Sequence, residues 1–271
     1  MIAPSSRMLW TPILRRLSDV PGFVVWKHLG SAFAGSGDVD AMVDNGHDLA
    51  AVTELLREEA FERGFSHLVT CEHMPGSRVH LLVGRSWWPR LKELDVKTAP
   101  SKGGCAWAPP GAVRSLAVKN ESGIRAVPPS VEAVIDLVYW AVRPLRKPSG
   151  RFKQEVIRAY LAEDPTLARS AIEQLVPPAA RSAVHELATR IADGDWSGRP
   201  SRRAWAGFAR TALLDPVFLS ERLRFRARFL ARRTCVALDA ARRGRTALQL
   251  TPEQFVEAAG DEHTVVGNLE Q

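Results

Sequence analysis

A chain of 271 residues, 45% of them hydrophobic, can bury one large core or two ordinary ones, which excludes a disordered segment or a disulfide-stapled mini-protein. Mean hydropathy is −0.13 and the apolar runs are short, which excludes a helical membrane span, while three scattered cysteines (Cys71, Cys105, Cys235) exclude a disulfide framework and imply a reducing, cytoplasmic setting. A net charge of +7, with arginines crowded between Arg222 and Arg245, suits an anionic partner such as a nucleotide, a nucleic acid or an acidic metabolite.

In chain order, Leu9, Ile13, Leu14 and Leu17 recur at helical spacing and predict a short amphipathic helix. Arg15 and Arg16 follow these apolar residues rather than precede them, so the segment does not read as a signal peptide. Phe23–Leu29 is rich in β-formers. A small-residue loop, Gly30-Ser31-Ala32-Phe33-Ala34-Gly35-Ser36-Gly37, then runs into Asp38-Val39-Asp40 and an apolar strand ending at Val43. Asp48–Gly64 predicts a helix with Leu49, Val52, Leu56 and Phe61 on one face, closed by Gly64. His67–Glu72 and Arg78–Val83 read as strands joined by a turn at Met74-Pro75-Gly76-Ser77. Lys92–Thr98 is a further strand that carries Asp95 between Leu94 and Val96, and Pro100–Gly111 is a Gly/Pro/Lys-rich loop.

From Pro128 the pattern is helical. Ser130 is suited to cap a helix running to about Val142, and further helices are expected at Arg151–Glu163, Thr166–Leu175, Ala179–Asp193, Ser201–Leu213 and Val217–Arg243. The expected organisation is an α/β (α+β) mixed sheet with helices over 1–127, an all-helical domain over 128–250, and an acidic, loosely attached tail over 251–271. Within the last helix, Phe218, Phe225, Phe229 and Val236 form one stripe. Arg224, Arg228 and Arg232 recur every fourth residue on another, either a solvated face or an anion-binding surface.

The chemistry-bearing pattern is Asp38-x-Asp40 with Asp95. Strand side chains alternate, so Asp38 and Asp40 project from one face while Val39 enters the core. Side-by-side carboxylates repel, and Mg²⁺ sites that engage substrate phosphates are built from such oxygens. Backbone N–H groups in a Gly/Ser loop complement this by approaching phosphate closely. The competing reading of Gly-Ser-Gly-Asp is an ordinary surface turn, but acids set among apolar strand residues are uncommon. His67, Cys71, His73 and His80 lack recognised zinc-ligand spacing. Trp87, Trp88 and Trp107 could stack on a base or cover a core edge.

A lysine-bearing β-run (Val25-Trp26-Lys27-His28-Leu29), a Gly-Ser loop, Asp-x-Asp on the next strand and a later strand acid resemble the nucleotidyltransferase superfamily of the DNA polymerase β type. Bacterial nucleotidyltransferase-like proteins with a helical region following are the nearer likeness, which covers about 21–127. The resemblance implies transfer of a nucleoside monophosphate from an NTP, ATP foremost, with Mg²⁺ or Mn²⁺. Asp38, Asp40 and Asp95 would be the catalytic and metal-binding carboxylates. The family's Gly-Ser maps to Gly30-Ser31 or to Gly35-Ser36, and Lys27 could neutralise phosphate charge. The chain has no Gly-x-x-x-x-Gly-Lys-Ser/Thr motif, so no phosphate-binding kinase domain follows. The acceptor is unassigned. A nucleic acid could engage Arg224, Arg228 and Arg232, and a non-catalytic binding module on the same fold is the alternative.

Overall fold

The computed structural model describes residues 6–35, 37–74, 76–84, 91–102, 105–108, 111–141, 154–195 and 199–214, single positions between 220 and 244, and 264–268. Two compact units emerge. One gathers Met1–Thr98, Glu121–Ile124 and Glu221–Gln271, and the other Ala99–Asn120 and Arg125–Ser220. A mixed sheet with helices comes first and a run of helices later, the architecture the sequence leads one to expect.

The first unit contains α1 (Ser6–Leu17), β1 (Val24–Lys27), α2 (Leu29–Phe33), β2 (Val39–Met42), α3 (Gly46–Glu62), β3 (Phe65–Met74), β4 (Ser77–Gly84) and β5 (Leu91–Lys97). Its strands hydrogen-bond in the order β3-β4-β5-β2-β1. Pairing is antiparallel throughout except for β2 beside β5, which is parallel. Leu9, Trp10, Ile13, Leu14 and Leu17 of α1 are buried, as the periodicity requires. α3 starts two residues before Asp48, because Asn45 Oδ1 accepts the backbone N–H groups of His47 and Asp48 at 2.8 and 3.0 Å. Its buried stripe is Leu49, Val52, Leu56 and Ala60. Phe61, expected on that face, is 54% exposed, since steps of three and four from Leu49 reach 60 and leave 61 a further 100° round.

A strand β10 (Thr264–Asn268) pairs antiparallel with β3, Thr264 opposite Cys71 and Asn268 opposite His67. The stretch read as a loosely attached tail therefore supplies the strand that flanks β3. An exposed β3 edge would be a template for pairing with other chains, and β10 covers it.

α1 and α3 lie against the sheet face that carries His80, Leu94 and Val96. Ser6 of α1 accepts a hydrogen bond from Lys92 Nζ at 3.0 Å. Thr53 of α3 donates to Leu49 O at 3.0 Å, so its oxygen is an acceptor for His80 Nε2 at 3.0 Å and Arg78 Nη1 at 3.3 Å. His80 thus ties β4 to α3 rather than joining His67 or Cys71 in a metal site.

In the second unit, β6 (Ser101–Lys102) pairs with β7 (Cys105–Ala106), and β8 (Val118–Lys119) pairs with β9 (Arg125–Ala126); α4 is Ala112–Ser115. α5 (Pro129–Ala141), α6 (Gln154–Glu163), α7 (Pro165–Leu175), α8 (Pro178–Ala192) and α9 (Arg199–Leu213) follow. Ser130 is not the cap of α5. Pro129 occupies the first helical position, where its missing N–H costs nothing and its fixed φ suits the helix, and Ser130 is buried in the first turn. Trp107 is a core residue, edge-on to Tyr139 with ring centroids 5.9 Å apart. At Gly207 the backbones of α9 and α8 approach so closely that an added Cβ would lie 2.5 Å from Ala179 O. The described positions between 220 and 242 are helical, within the expected Val217–Arg243. No described helix is long and apolar enough to cross a membrane.

Burial pulls the His80 imidazole down from 6.5 to about 4, with Arg78 adding to the effect. The unfolded chain therefore takes up this proton first as pH falls. The contribution is complete above pH 6.5 and is lost toward pH 4, amounting to about 2 kcal/mol between pH 7 and pH 5. Urea unfolding at both pH values should show the wild type losing about 2 kcal/mol more than His80→Leu over this interval.

Candidate functional site

The parallel pairing of β2 with β5 sets Asp40 directly opposite Asp95, with Val39 opposite Leu94 and Ala41 opposite Val96. Register partners on neighbouring strands share a face, so both aspartates lie on the face turned away from α1 and α3. Asp38, two residues before Asp40, precedes β2 with the same parity. Glu93 and Lys97 flank Asp95 at the same spacing on β5. The face therefore presents Asp38, Asp40, Glu93, Asp95 and Lys97 together, while Val39, Ala41, Leu94 and Val96 are buried on the other.

Lys97 is the neighbour that the sequence reading passed over. Its Nζ lies 2.8 Å from Asp95 Oδ2 and 4.0 Å from Asp40 Oδ1, and 5.7 Å from the centroid of the Trp26 ring. His28 Nε2 approaches the other Asp40 oxygen at 3.5 Å. Burial pushes the Asp40 carboxyl above the usual carboxylate range, against the pull of Lys97 and Lys27. Burial likewise raises Glu93, helped by Asp38, Asp95 and Asp40. For Lys97, burial favours losing the proton, but Asp95 and Asp40 outweigh it and hold the ammonium above its ordinary value. The period-two spacing Glu93-x-Asp95-x-Lys97 puts Lys97 on the Asp95 side of β5, but only the pairing of β2 with β5 brings Asp40 beside it.

Lys27 pairs with Asp40 in register, is buried, and lies close enough to feel its charge. Gly30 and Ser31 are not in a loop but in the short helix α2, which the buried Ala32 anchors and whose Phe33 ring lies 5.5 Å from the guanidinium of Arg7 in α1. Ser31 Oγ donates to His28 O at 2.9 Å. A Cβ added at Gly37 would lie 3.5 Å from Ser31 Oγ, so α2 folds back beside the entry to Asp38. Gly35 and Gly37 take φ of +92° and +95°, the turn geometry that brings the chain out of α2 toward β2. Ser36 lies outside the described residues, as do Arg228, Arg232, Trp87 and Trp88; Arg224 is helical and exposed.

The donor chemistry of Asp38, Asp40 and Asp95 suits a hard divalent cation. Asp95 Oδ1 is buried with no hydrogen-bond partner among the described residues, a position a cation would satisfy. Among the described residues, however, no three His, Cys, Asp or Glu side chains are gathered tightly enough to hold a metal ion as they stand. The ammonium of Lys97 lies between two of the three aspartates instead.

No family model matches the chain, and no curated protein matches it. Among solved structures, the crystal structure of the Megavirus polyadenylate synthase overlaps 58% of this chain at 12% identity with a TM-score of 0.37. The overlap covers 30% of that protein's length. A likeness this loose carries no argument about the present site, which stands on its own geometry.

His28 is the one described non-glycine residue with positive φ, 66° with ψ 11°, at the junction between β1 and α2. A left-handed conformation costs a Cβ-bearing residue about 1–2 kcal/mol, whereas glycine adopts it readily. His28→Gly should therefore be more stable than His28→Ala by about 1 kcal/mol, the reverse of the ordinary order, as urea unfolding of the two variants would show.

Proposed function

We propose that the mixed sheet is the core of a Mg²⁺-dependent nucleotidyltransferase that moves a nucleoside monophosphate from an NTP, ATP foremost, to a hydroxyl of an unassigned acceptor. The observation that carries this reading is the parallel register of β2 and β5, with Asp40 abreast of Asp95 and Asp38 on the same face. In this reading Asp38, Asp40 and Asp95 hold the cation, whose chemistry is to neutralise and polarise the phosphate oxygens under attack. Asp95 Oδ1, buried and without a donor among the described residues, is the group that takes the proton of the attacking hydroxyl. Lys27 adds positive charge beside Asp40, where a triphosphate would bring negative charge. The backbone N–H groups of Gly30 and Ser31, at the start of α2, would be donors to phosphate oxygens, whereas the Gly35 N–H already donates to Ala32 O at 3.1 Å. Arg224, with Arg228 and Arg232, would favour an acceptor that itself carries phosphate, nucleic acid included.

One observation favours a second reading, a nucleotide- or nucleic-acid-binding module that keeps the fold without the chemistry. Lys97 already neutralises Asp95 and reaches Asp40, the work a catalytic cation would do. The two readings separate on pyrophosphate release from ATP and other NTPs with Mg²⁺ or Mn²⁺, assayed across candidate acceptors. Asp40→Asn and Asp95→Asn should each lower release by about a hundred-fold while the proteins remain folded, because they remove charge at the reacting phosphate with almost no change of shape. Release that both variants retain would place the chemistry elsewhere. NTP binding without release under either metal favours the binding module.

A further inference from the structure

Taking Asp38, Asp40 and Asp95 as the proposed cation ligands, we propose that Lys97 is a resident cation of this face, and that a divalent ion reaches Asp40 and Asp95 only by displacing its ammonium. The geometry points to this in three ways. Lys97 Nζ is at 2.8 Å from one oxygen of Asp95 and 4.0 Å from one oxygen of Asp40, so one positive charge spans the pair that a metal would bridge. Its side chain is only 10% exposed, and the Trp26 ring at 5.7 Å walls the ammonium without supplying a competing acceptor. Its backbone is held in the sheet, with Lys97 O accepting from Val43 N–H at 2.9 Å, so only the side chain can withdraw.

The second oxygens of both carboxylates support the same conclusion. Asp95 Oδ1 is buried with no partner among the described residues, and Asp40 Oδ2 has His28 at 3.5 Å. Asp95 therefore gives Lys97 one oxygen and has the other without a partner among the described residues, while the second oxygen of Asp40 faces His28. Asp38, Asp40, Glu93 and Asp95 outnumber Lys97 and Lys27, leaving a negative excess on this face. Lys97 offsets part of that excess, which lets the sheet form without metal and weakens metal binding at the same time. The consequence is a cation site whose affinity is set by the chain's own lysine.

The test is Mn²⁺ binding to the full chain without nucleotide, followed by isothermal titration and by the electron paramagnetic resonance of free Mn²⁺. Lys97→Met and Lys97→Gln should bind Mn²⁺ at least about ten-fold more tightly than wild type, since the loss of one nearby positive charge strengthens every remaining attraction. Lys97→Arg keeps the charge and should stay weak. Adding Asp95→Asn to Lys97→Met should cancel the gain. Equal affinity in wild type, Lys97→Met and Lys97→Gln overturns the proposal. Should either neutral variant fail to fold alone, folding restored by Mn²⁺ supports it, and no restoration overturns it. Tighter Mn²⁺ binding without any pyrophosphate release would sink the transferase reading and leave Lys97's role standing. Release in wild type with unchanged Mn²⁺ affinity in the variants would do the reverse.

Discussion

The parallel pairing of β2 with β5 is the constraint on which the rest of the candidate site depends. β2 is four residues long and fully buried, and its neighbours on both sides fix its register, Asp40 against Asp95 on one side and against Lys27 on the other. Because strand side chains alternate with period two, a one-residue slip would turn Asp40 toward α1 and α3 and bring Val39 or Ala41 onto the charged face. The apolar set Val39, Ala41, Leu94 and Val96 thus specifies the position of the acids as firmly as any polar contact does. The packing of the helix-covered face determines the chemistry of the other one.

Collecting acids on one face has an electrostatic cost that the local structure has to offset. At an effective dielectric of about 20, unit charges about 4 Å apart interact by about 4 kcal/mol, while taking an ion out of water costs several kcal/mol. A single lysine facing a single carboxylate comes near to breaking even on those terms. Lys97 gains because it serves two carboxylates and Trp26 at once. The same arithmetic explains why burial raises Asp40 even with two lysines nearby. It also bears on His28. Its strained backbone brings an imidazole to the Asp40 oxygen that Lys97 does not meet.

Much of this was legible in the sequence, and the illegible parts have identifiable causes. The period-two pattern around Asp38-Val39-Asp40 and Leu94-Asp95-Val96 gave strands of the right parity, and the helices after Pro128 followed from apolar spacing and Pro punctuation. Glycine and serine content pointed to a loop at Gly30–Gly37. That composition could not show that Leu29, Ala32 and Phe33 would dock as a turn of helix, since tertiary packing overrides propensity over so short a span. β10 was missed because Thr264–Asn268 becomes a strand through non-local pairing with β3. Parallel pairing of β2 with β5 was likewise beyond local reading, because strand order is decided by contacts between residues more than fifty positions apart. Lys97 was hidden for a different reason. A lysine at a strand end reads as a snorkelling surface residue until the partner strand reveals two carboxylates beside it.

The two faces of the sheet bury polar groups in opposite ways, and the contrast separates scaffold from site. On the helix-covered face, His80 is neutral, and its hydrogen bond to Thr53 ties β4 to α3 at the expense of stability in acid. Its Nε2 meets the Thr53 hydroxyl at 3.0 Å inside the packed interface of β4 and α3, so a change at His80 acts on folding. On the opposite face, acids are gathered against one another, Asp95 Oδ1 lacks a donor among the described residues, and the compensation comes from a flexible side chain rather than from a helix. A scaffold optimised for stability alone would more readily carry apolar residues at Asp40, Asp95 and Lys97, since well-packed hydrophobic replacements for buried ion clusters are often neutral or stabilising. Buried acids and a lysine on one face, against a neutral histidine packed under α3 on the other, divide the sheet into a face whose polar groups carry charge compensation and a face whose polar groups carry packing.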